Sequence, residues 1–210
     1  MTFTVKEIFY TLQGEGAQTG MAAVFCRFSG CNLWSGREQD RASAECQFCD
    51  TEFVGTDGIN GGKFESSELL ASKIDETWPV NGGRKLVVCT GGEPLLQLNA
   101  DLVNALHDRG FRVAVETNGT LEMPDGIDWV CVSPKARTDC IVRKGNELKL
   151  VFPQEGISPE QFEGWDFDHF FIQPMDGSNV KENIRSATQY CQDNPHWRLS
   201  LQTHKILGIP

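Results

Sequence analysis

RKLVVCTGGEPLLQLNADLVNALHDR, from Arg84 to Arg109, sets a β-branched apolar run against a glycine turn and then a helical pattern. Residues 84–90 read as a buried strand, Gly91-Gly92-Glu93-Pro94 as a sharp turn, and residues 95–109 as a helix. Two glycines allow close approach of backbone to a ligand, and Glu93 brings charge where neutral turn filler would serve.

The unit recurs on both sides. Upstream, residues 22–28 (AAVFCRF) form a first buried strand, and Ser66 or Ser67 caps a helix, SSELLASKIDETW, with Glu68 in its first turn and Trp78-Pro79 at its end. Before it, residues 3–16 carry apolar Val5, Ile8, Tyr10 and Leu12 and end in the polar turn Gln13-Gly14-Glu15-Gly16. Downstream, strand 112–116 ends in Thr117-Asn118-Gly119, strand 128–132 in Ser133-Pro134-Lys135, and a further strand spans 147–152. DHFFIQPM carries Gln173 directly after Phe170-Phe171-Ile172, a helix spans 180–193 up to Asn194-Pro195, and residues 197–205 read as a last strand before ILGIP.

Strands alternating with helices imply parallel pairing through right-handed crossovers. About seven strands, with too few long helices for eight full units, predict a single-domain α/β protein, a partial (β/α) barrel with mostly parallel strands over residues 1–210. Ligand residues of such folds collect at the C-terminal strand ends. Thr90 and Gly92, Glu116 and Asn118, Ser133 and Lys135, Gln173 and His204 share that rim.

After the first barrel strand, Gly30 opens CNLWSGREQDRASAECQFCDT, residues 31–51, in which fourteen residues separate Cys31 from Cys46 and two separate Cys46 from Cys49. Cys-x-x-Cys turns aim two sulfurs one way, and a third cysteine makes a three-thiolate site with one position open; a structural zinc or a closed cluster would take a fourth protein ligand. Residues 33–45 hold both signs of charge and no clear period, and admit a short helix. Residues 51–64 are a glycine-rich hairpin or loop. Of the eight cysteines, Cys26, Cys89 and Cys131 lie in apolar runs and read as small buried hydrophobes; Cys140 and Cys191 read as structural.

A formal charge of −10, with no basic run, argues against nucleic acid as a partner. The N-terminus lacks a signal-peptide pattern and no apolar run reaches membrane-spanning length, which places the protein in the cytoplasm with reduced cysteines.

A cysteine loop after the first strand and Gly-Gly-Glu-Pro after the second resemble the radical S-adenosylmethionine superfamily. The superfamily usually spaces its first two cysteines by three residues; the expanded loop here, with QGEG, CDT, TGGEP, ETNGT, SPK, QPM and THKILGIP, resembles the 7-carboxy-7-deazaguanine synthase family over nearly the whole chain. That resemblance implies a [4Fe–4S] cluster on Cys31, Cys46 and Cys49, with S-adenosylmethionine on its fourth iron. It implies cofactor contacts from Phe48, Asp50, Gly92, Glu93, Glu116, Asn118, Ser133, Lys135 and Gln173, and Mg²⁺ at Thr51. Substrate, 6-carboxy-5,6,7,8-tetrahydropterin, would meet Leu12, Gln13, Gly14, Arg27, Thr90, His204 and Pro210. Arg27 suits its carboxylate through two parallel hydrogen bonds.

The implied reaction is reductive cleavage of S-adenosylmethionine, hydrogen abstraction from the pterin carbon bearing the carboxylate, ring contraction, return of the hydrogen and loss of ammonia. No protein residue is marked as catalytic beyond the cluster and cofactor. An electron donor such as flavodoxin and a homodimer are implied too, although two acidic proteins would need a local basic patch to meet. Two other readings compete: a glycyl-radical activating enzyme acting on a protein, which shares the cysteine loop and Gly-Gly-Glu, and a non-catalytic iron–sulfur or zinc module, which would not need a rim of polar residues.

Overall fold

The apolar runs pair side by side into one sheet. The computed structural model describes residues 1–79 and 83–210. Its strands are β1 (Phe3–Leu12), β2 (Ala22–Phe28), β3 (Gly62–Phe64), β4 (Lys85–Gly91), β5 (Phe111–Thr117), β6 (Trp129–Val132), β7 (Lys144–Phe152), β8 (Asp166–Pro174) and β9 (Trp197–Leu199). They lie in the order β3-β1-β2-β4-β5-β6-β7-β8-β9. From β2 to β9 every neighbouring pair is parallel, while β1 runs antiparallel to both β2 and β3. The outermost strands do not meet, so the barrel is partial, as the sequence implies.

Among the described residues four helices accompany the sheet: α1 (Ser67–Thr77), α2 (Ala100–His107), α3 (Val180–Asp193) and the short α4 (Thr203–Leu207). Strand alternation sorts the side chains onto two faces. Val24, Cys26 and Phe28, Val87 and Cys89, Val113 and Val115, Leu148 and Leu150, and Phe170 and Ile172 pack with Leu70, Ile74, Leu102, Val103, Leu106 and Ala187 of the helices. Burying each Leu, Ile, Val or Phe side chain contributes about 1.5–3 kcal/mol, which favours this register over one slipped by a residue. Residues of opposite parity face the concave side. A small apolar cluster of Ala23, Leu86, Val88 and Ala114 packs with Phe25 and Trp129. The next positions toward the strands' C-terminal ends are polar: Arg27, Thr90, Glu116, Lys149 and Gln173.

Several expectations are corrected. The helix expected over 95–109 is two pieces, a 3₁₀ turn over Pro94–Leu96 and then α2. Asn99 starts α2 by accepting from the Leu102 amide at 2.9 Å, and the Glu93 carboxylate caps the 3₁₀ turn through the Leu95 amide. The strand expected over 197–205 stops at Leu199, because Thr203 donates both its amide and its hydroxyl to the Gly14 carbonyl and turns the chain into α4. His204 therefore sits on a helix, not at a strand end. Among the described residues there are nine strands, because the N-terminal segment and residues 62–64 add an antiparallel edge. Along β1 a bulge between Val5 and Glu7 breaks the simple alternation: Val5 and Ile8 are buried, while Tyr10 and Leu12 are exposed. Inside the cysteine loop, a 3₁₀ turn over Glu38–Ser43 is the short helix that segment admits.

Candidate active site

The cysteine loop and the glycine turn are stitched together. The Gly92 amide donates to the Phe28 carbonyl at 3.2 Å and the Glu93 amide to the Gly30 carbonyl at 2.9 Å. A Cβ on Gly92 would stand 2.1 Å from that Gly30 oxygen. The backbone approach that demands glycine here is thus to the cysteine loop itself. Glu93 is fully buried behind this junction and is not brought to the cavity wall. Its oxygens accept from Thr117 Oγ1 at 2.7 Å, the Asn118 amide at 2.8 Å and the Leu95 amide at 3.0 Å. Burial raises its pKa against the pull of those donors.

All the other predicted positions line one cavity of about 360 Å³ at the strands' C-terminal ends. Cys31, Cys46 and Cys49 share its wall with Phe48, Asp50 and Thr51; Leu12, Gln13, Gly14, Arg27 and Thr90 come from β1, its following turn, β2 and β4; Glu116, Asn118, Ser133, Lys135 and Gln173 follow around the rim; His204 and Pro210 come from the C-terminus. All eight cysteines are free thiols, and Cys26, Cys89, Cys131 and Cys140 are buried whereas Cys191 is partly exposed. Burial raises the thiol pKa of Cys31 and of Cys49, and the charge of Cys46 adds to both shifts. Among the described residues no three His, Cys, Asp or Glu side chains converge as ligands of a single ion. Three thiols on one cavity wall are the donor set of a cluster that gives each sulfur its own iron and leaves one iron open.

The cavity floor is charged. Lys149 pairs with Glu15 and stands 3.5 Å from Glu116 Oε1; Gln13 Nε2 donates to the same oxygen at 3.1 Å, and Thr90 Oγ1 lies 3.3 Å from the other. Burial works against the Lys149 ammonium, yet Glu116 and Glu15 outweigh it and hold its pKa well above the ordinary value. Likewise burial opposes the Glu15 carboxylate, and Lys149 with Gln202 brings its pKa below the usual one. Beside this group Arg27 donates through Nε to Glu7 at 2.8 Å. Its terminal nitrogens have no protein partner among the described residues, so the fork stays available in the cavity. Lys135 bonds back to Ser133 at 2.6 and 2.7 Å and lies 6.0 Å from the Phe48 ring centroid; burial lowers its pKa while the thiols of Cys46 and Cys49 oppose. Asn118 ties the rim to the cysteine loop through Asn32 at 3.0 Å, and Gln173 accepts from Ser200 at 3.1 Å.

The C-terminus closes one side. The His204 ring packs on Gly14, where an added Cβ would be 2.3 Å from Nδ1, and the Pro210 carbonyl accepts from Thr11 at 3.0 Å. Sequence reading left out Glu7, Lys149, Gln202 and Lys205 and gave Glu15 only as part of a polar turn; all five are on the cavity wall. Lys149 had a signal: with Glu147 it is a polar position on the concave side of the apolar strand ELKLVF.

The Radical SAM superfamily matches residues 40–139. Over its full length the chain is 61% identical to a Caulobacter vibrioides protein and 60% identical to a Bordetella pertussis protein, each covered completely and each called 7-carboxy-7-deazaguanine synthase. The crystal structure of QueE from Escherichia coli superposes with a TM-score of 0.70 at 26% identity, over 96% of this chain and 94% of that one. With this cavity, this fold and such relatives along its entire length, the chain belongs to the 7-carboxy-7-deazaguanine synthase family of radical S-adenosylmethionine enzymes.

Proposed function

We propose that this enzyme converts 6-carboxy-5,6,7,8-tetrahydropterin to 7-carboxy-7-deazaguanine with release of ammonia, on the route to queuosine and related 7-deazapurines. The observation that carries the reading is that one cavity joins three thiols to an available guanidinium and a ring of fixed polar groups. The [4Fe–4S] cluster and S-adenosylmethionine supply the one-electron and hydrogen-abstraction chemistry. The chain supplies position, charge and exclusion of water. Cys31, Cys46 and Cys49 hold the cluster. Phe48, Asp50, Gly92, Glu116, Asn118, Ser133, Lys135 and Gln173 surround S-adenosylmethionine, with Glu93 acting from behind the wall by fixing the Asn118 amide. Leu12, Gln13, Gly14, Thr90, His204 and Pro210 enclose the pterin, and Arg27, held at Nε by Glu7, turns its fork to the substrate carboxylate. Thr51 would hold Mg²⁺ through its hydroxyl, a hard oxygen donor that suits this cation.

Among the described residues no helix is long and apolar enough to cross a membrane. We place the enzyme in the reducing cytoplasm, consistent with eight free cysteines, as a homodimer of one-domain chains (residues 1–210, with loop 31–49 inserted) reduced by a flavodoxin-like donor. Relatives named as 7-carboxy-7-deazaguanine synthase favour this reading over the glycyl-radical activating enzyme and the electron-carrier module.

The test is anaerobic. The cluster is reconstituted and reduced, S-adenosylmethionine and Mg²⁺ are added, and products are followed by mass spectrometry with and without the carboxylated pterin. Product that depends on the pterin and is lost in Cys46→Ala supports the reading; cleavage of S-adenosylmethionine with the pterin untouched would sink the substrate assignment.

A further inference from the structure

We propose that Arg41, inside the fourteen-residue segment between Cys31 and Cys46, is a positioning residue that sets both the geometry and the reduction potential of the cluster. The inference rests on the cluster assignment above. One guanidinium does four things here. Its Nη1 donates to the Gln47 carbonyl at 3.0 Å and to the Cys49 carbonyl at 3.1 Å, so a single cation fastens the turn that carries the second and third cysteines. Its Nε and Nη2 form a fork on Glu38 at 2.8 and 2.6 Å. Its Cζ stands 4.0 Å from the centroid of the Trp34 ring.

That platform is rigid. Trp34 is buried, packs edge-on against Phe53 at 5.6 Å and donates from Nε1 to the Arg37 carbonyl at 3.2 Å. The 3₁₀ turn over Glu38–Ser43 aims Arg41 back at residues 47–49. A three-residue spacing between the first two cysteines leaves no chain to make this turn. The insertion therefore serves as a brace that reaches the ligand loop from outside the cavity.

A charge-assisted donor on the carbonyl of a ligand residue has an electrostatic consequence. Reduction adds negative charge to the cluster, so a nearby cation favours the reduced form and raises the potential. Glu38 partly offsets that cation and pulls the other way. The two residues should thus shift the potential with opposite signs, which a scaffold role alone would not produce.

The experiment compares anaerobically reconstituted wild type, Arg41→Gln, Arg41→Lys and Glu38→Gln by iron content and by redox titration followed by electron paramagnetic resonance. Arg41→Gln is expected at a more negative midpoint and Glu38→Gln at a less negative one. Arg41→Lys keeps the charge and loses the fork, so it should hold a near wild-type midpoint with faster loss of iron. Unchanged midpoints in both Gln variants, or shifts of one sign, overturn the proposal. If Arg41→Gln takes up no cluster, the sign at Glu38→Gln decides alone. Failure of the wild type to load iron would remove the cluster assignment and this proposal together; a loaded wild type that leaves the pterin untouched would remove only the substrate assignment.

Discussion

Lys205 Nζ stands 2.6 Å from Asp50 Oδ2, which joins the C-terminal helix to the residue directly after Cys49. The same ammonium reaches Asp176 at 2.6 Å and Gln202 Oε1 at 3.0 Å. The C-terminal segment that carries His204 and Pro210 is thereby latched to the cysteine loop. The pairs are partly exposed, so each contributes only about 0–1 kcal/mol to stability. Lys205→Met should leave the melting temperature almost unchanged and raise KM for both pterin and S-adenosylmethionine several-fold. Raising salt to about 0.5 M should move wild-type KM toward the variant's, since partly exposed pairs are screened. Equal KM values in wild type and variant would show that the latch does not hold the site.

Among the described residues, Lys149 is the one cation paired with both Glu15 and Glu116. Lys149→Met leaves two carboxylates in the cavity without it, and breaking a buried pair in this way costs about 3–5 kcal/mol. Denaturant titration should show that loss, with part of it recovered in Glu15→Gln/Lys149→Met. The pH dependence follows from the shifts. Because the Glu15 pKa is lowered in the fold, its stabilisation is present above the ordinary 4.5 and is lost as pH falls through the folded value. Because the Lys149 pKa is raised, its stabilisation is full below the ordinary 10.5 and is lost only as pH climbs through the folded value. Wild type should therefore lose stability toward acid more steeply than Glu15→Gln, and a parallel pair of acid profiles would refute the account.

Strand parity made most of this site legible. A period of two fixes which face Arg27, Thr90, Glu116 and Gln173 occupy once their apolar neighbours are known, and the cysteine spacing marks an open thiolate set. What stayed hidden depends on long-range partners. Nothing local tells that Glu93 turns away from the cavity to meet Thr117 and Asn118, or that Thr203 stops the last strand by bonding Gly14, far away in sequence. Arg41 was equally silent, because its meaning lies in two carbonyls and an indole that only the folded loop brings together.

Glu93 offers a way to separate support from ligand contact. In Glu93→Gln one oxygen becomes an amide that faces a backbone or hydroxyl donor, which leaves buried polar groups mismatched at a cost of about 1–3 kcal/mol. A lowered melting temperature of the cluster-free protein, before any cofactor is added, is the expected result. Loss of S-adenosylmethionine affinity with no change in that melting temperature would instead mean that Glu93 touches the cofactor directly.

Gly92 shares with Gly61 the closest approach of an added Cβ to a backbone oxygen among the described glycines, 2.1 Å. A methyl group on Gly92 meets the Gly30 carbonyl at 2.1 Å and Cys31 Cβ at 2.9 Å, and the first of these is backbone that has no rotamer in which to retreat. Gly92→Ala must open the junction between β4 and the cysteine loop, breaking the hydrogen bonds that the Gly92 and Glu93 amides donate to the Phe28 and Gly30 carbonyls. The sheet pairing β2 with β4 lies below this point and is expected to survive with a loss of about 1–3 kcal/mol. Cys31 moves with Gly30, so iron retention should fall far more than stability does. The two readouts are a denaturant midpoint and iron per chain after gel filtration. Gly92→Ala that keeps full iron while unfolding easily would place the glycine's importance in the sheet and not in the thiolate site.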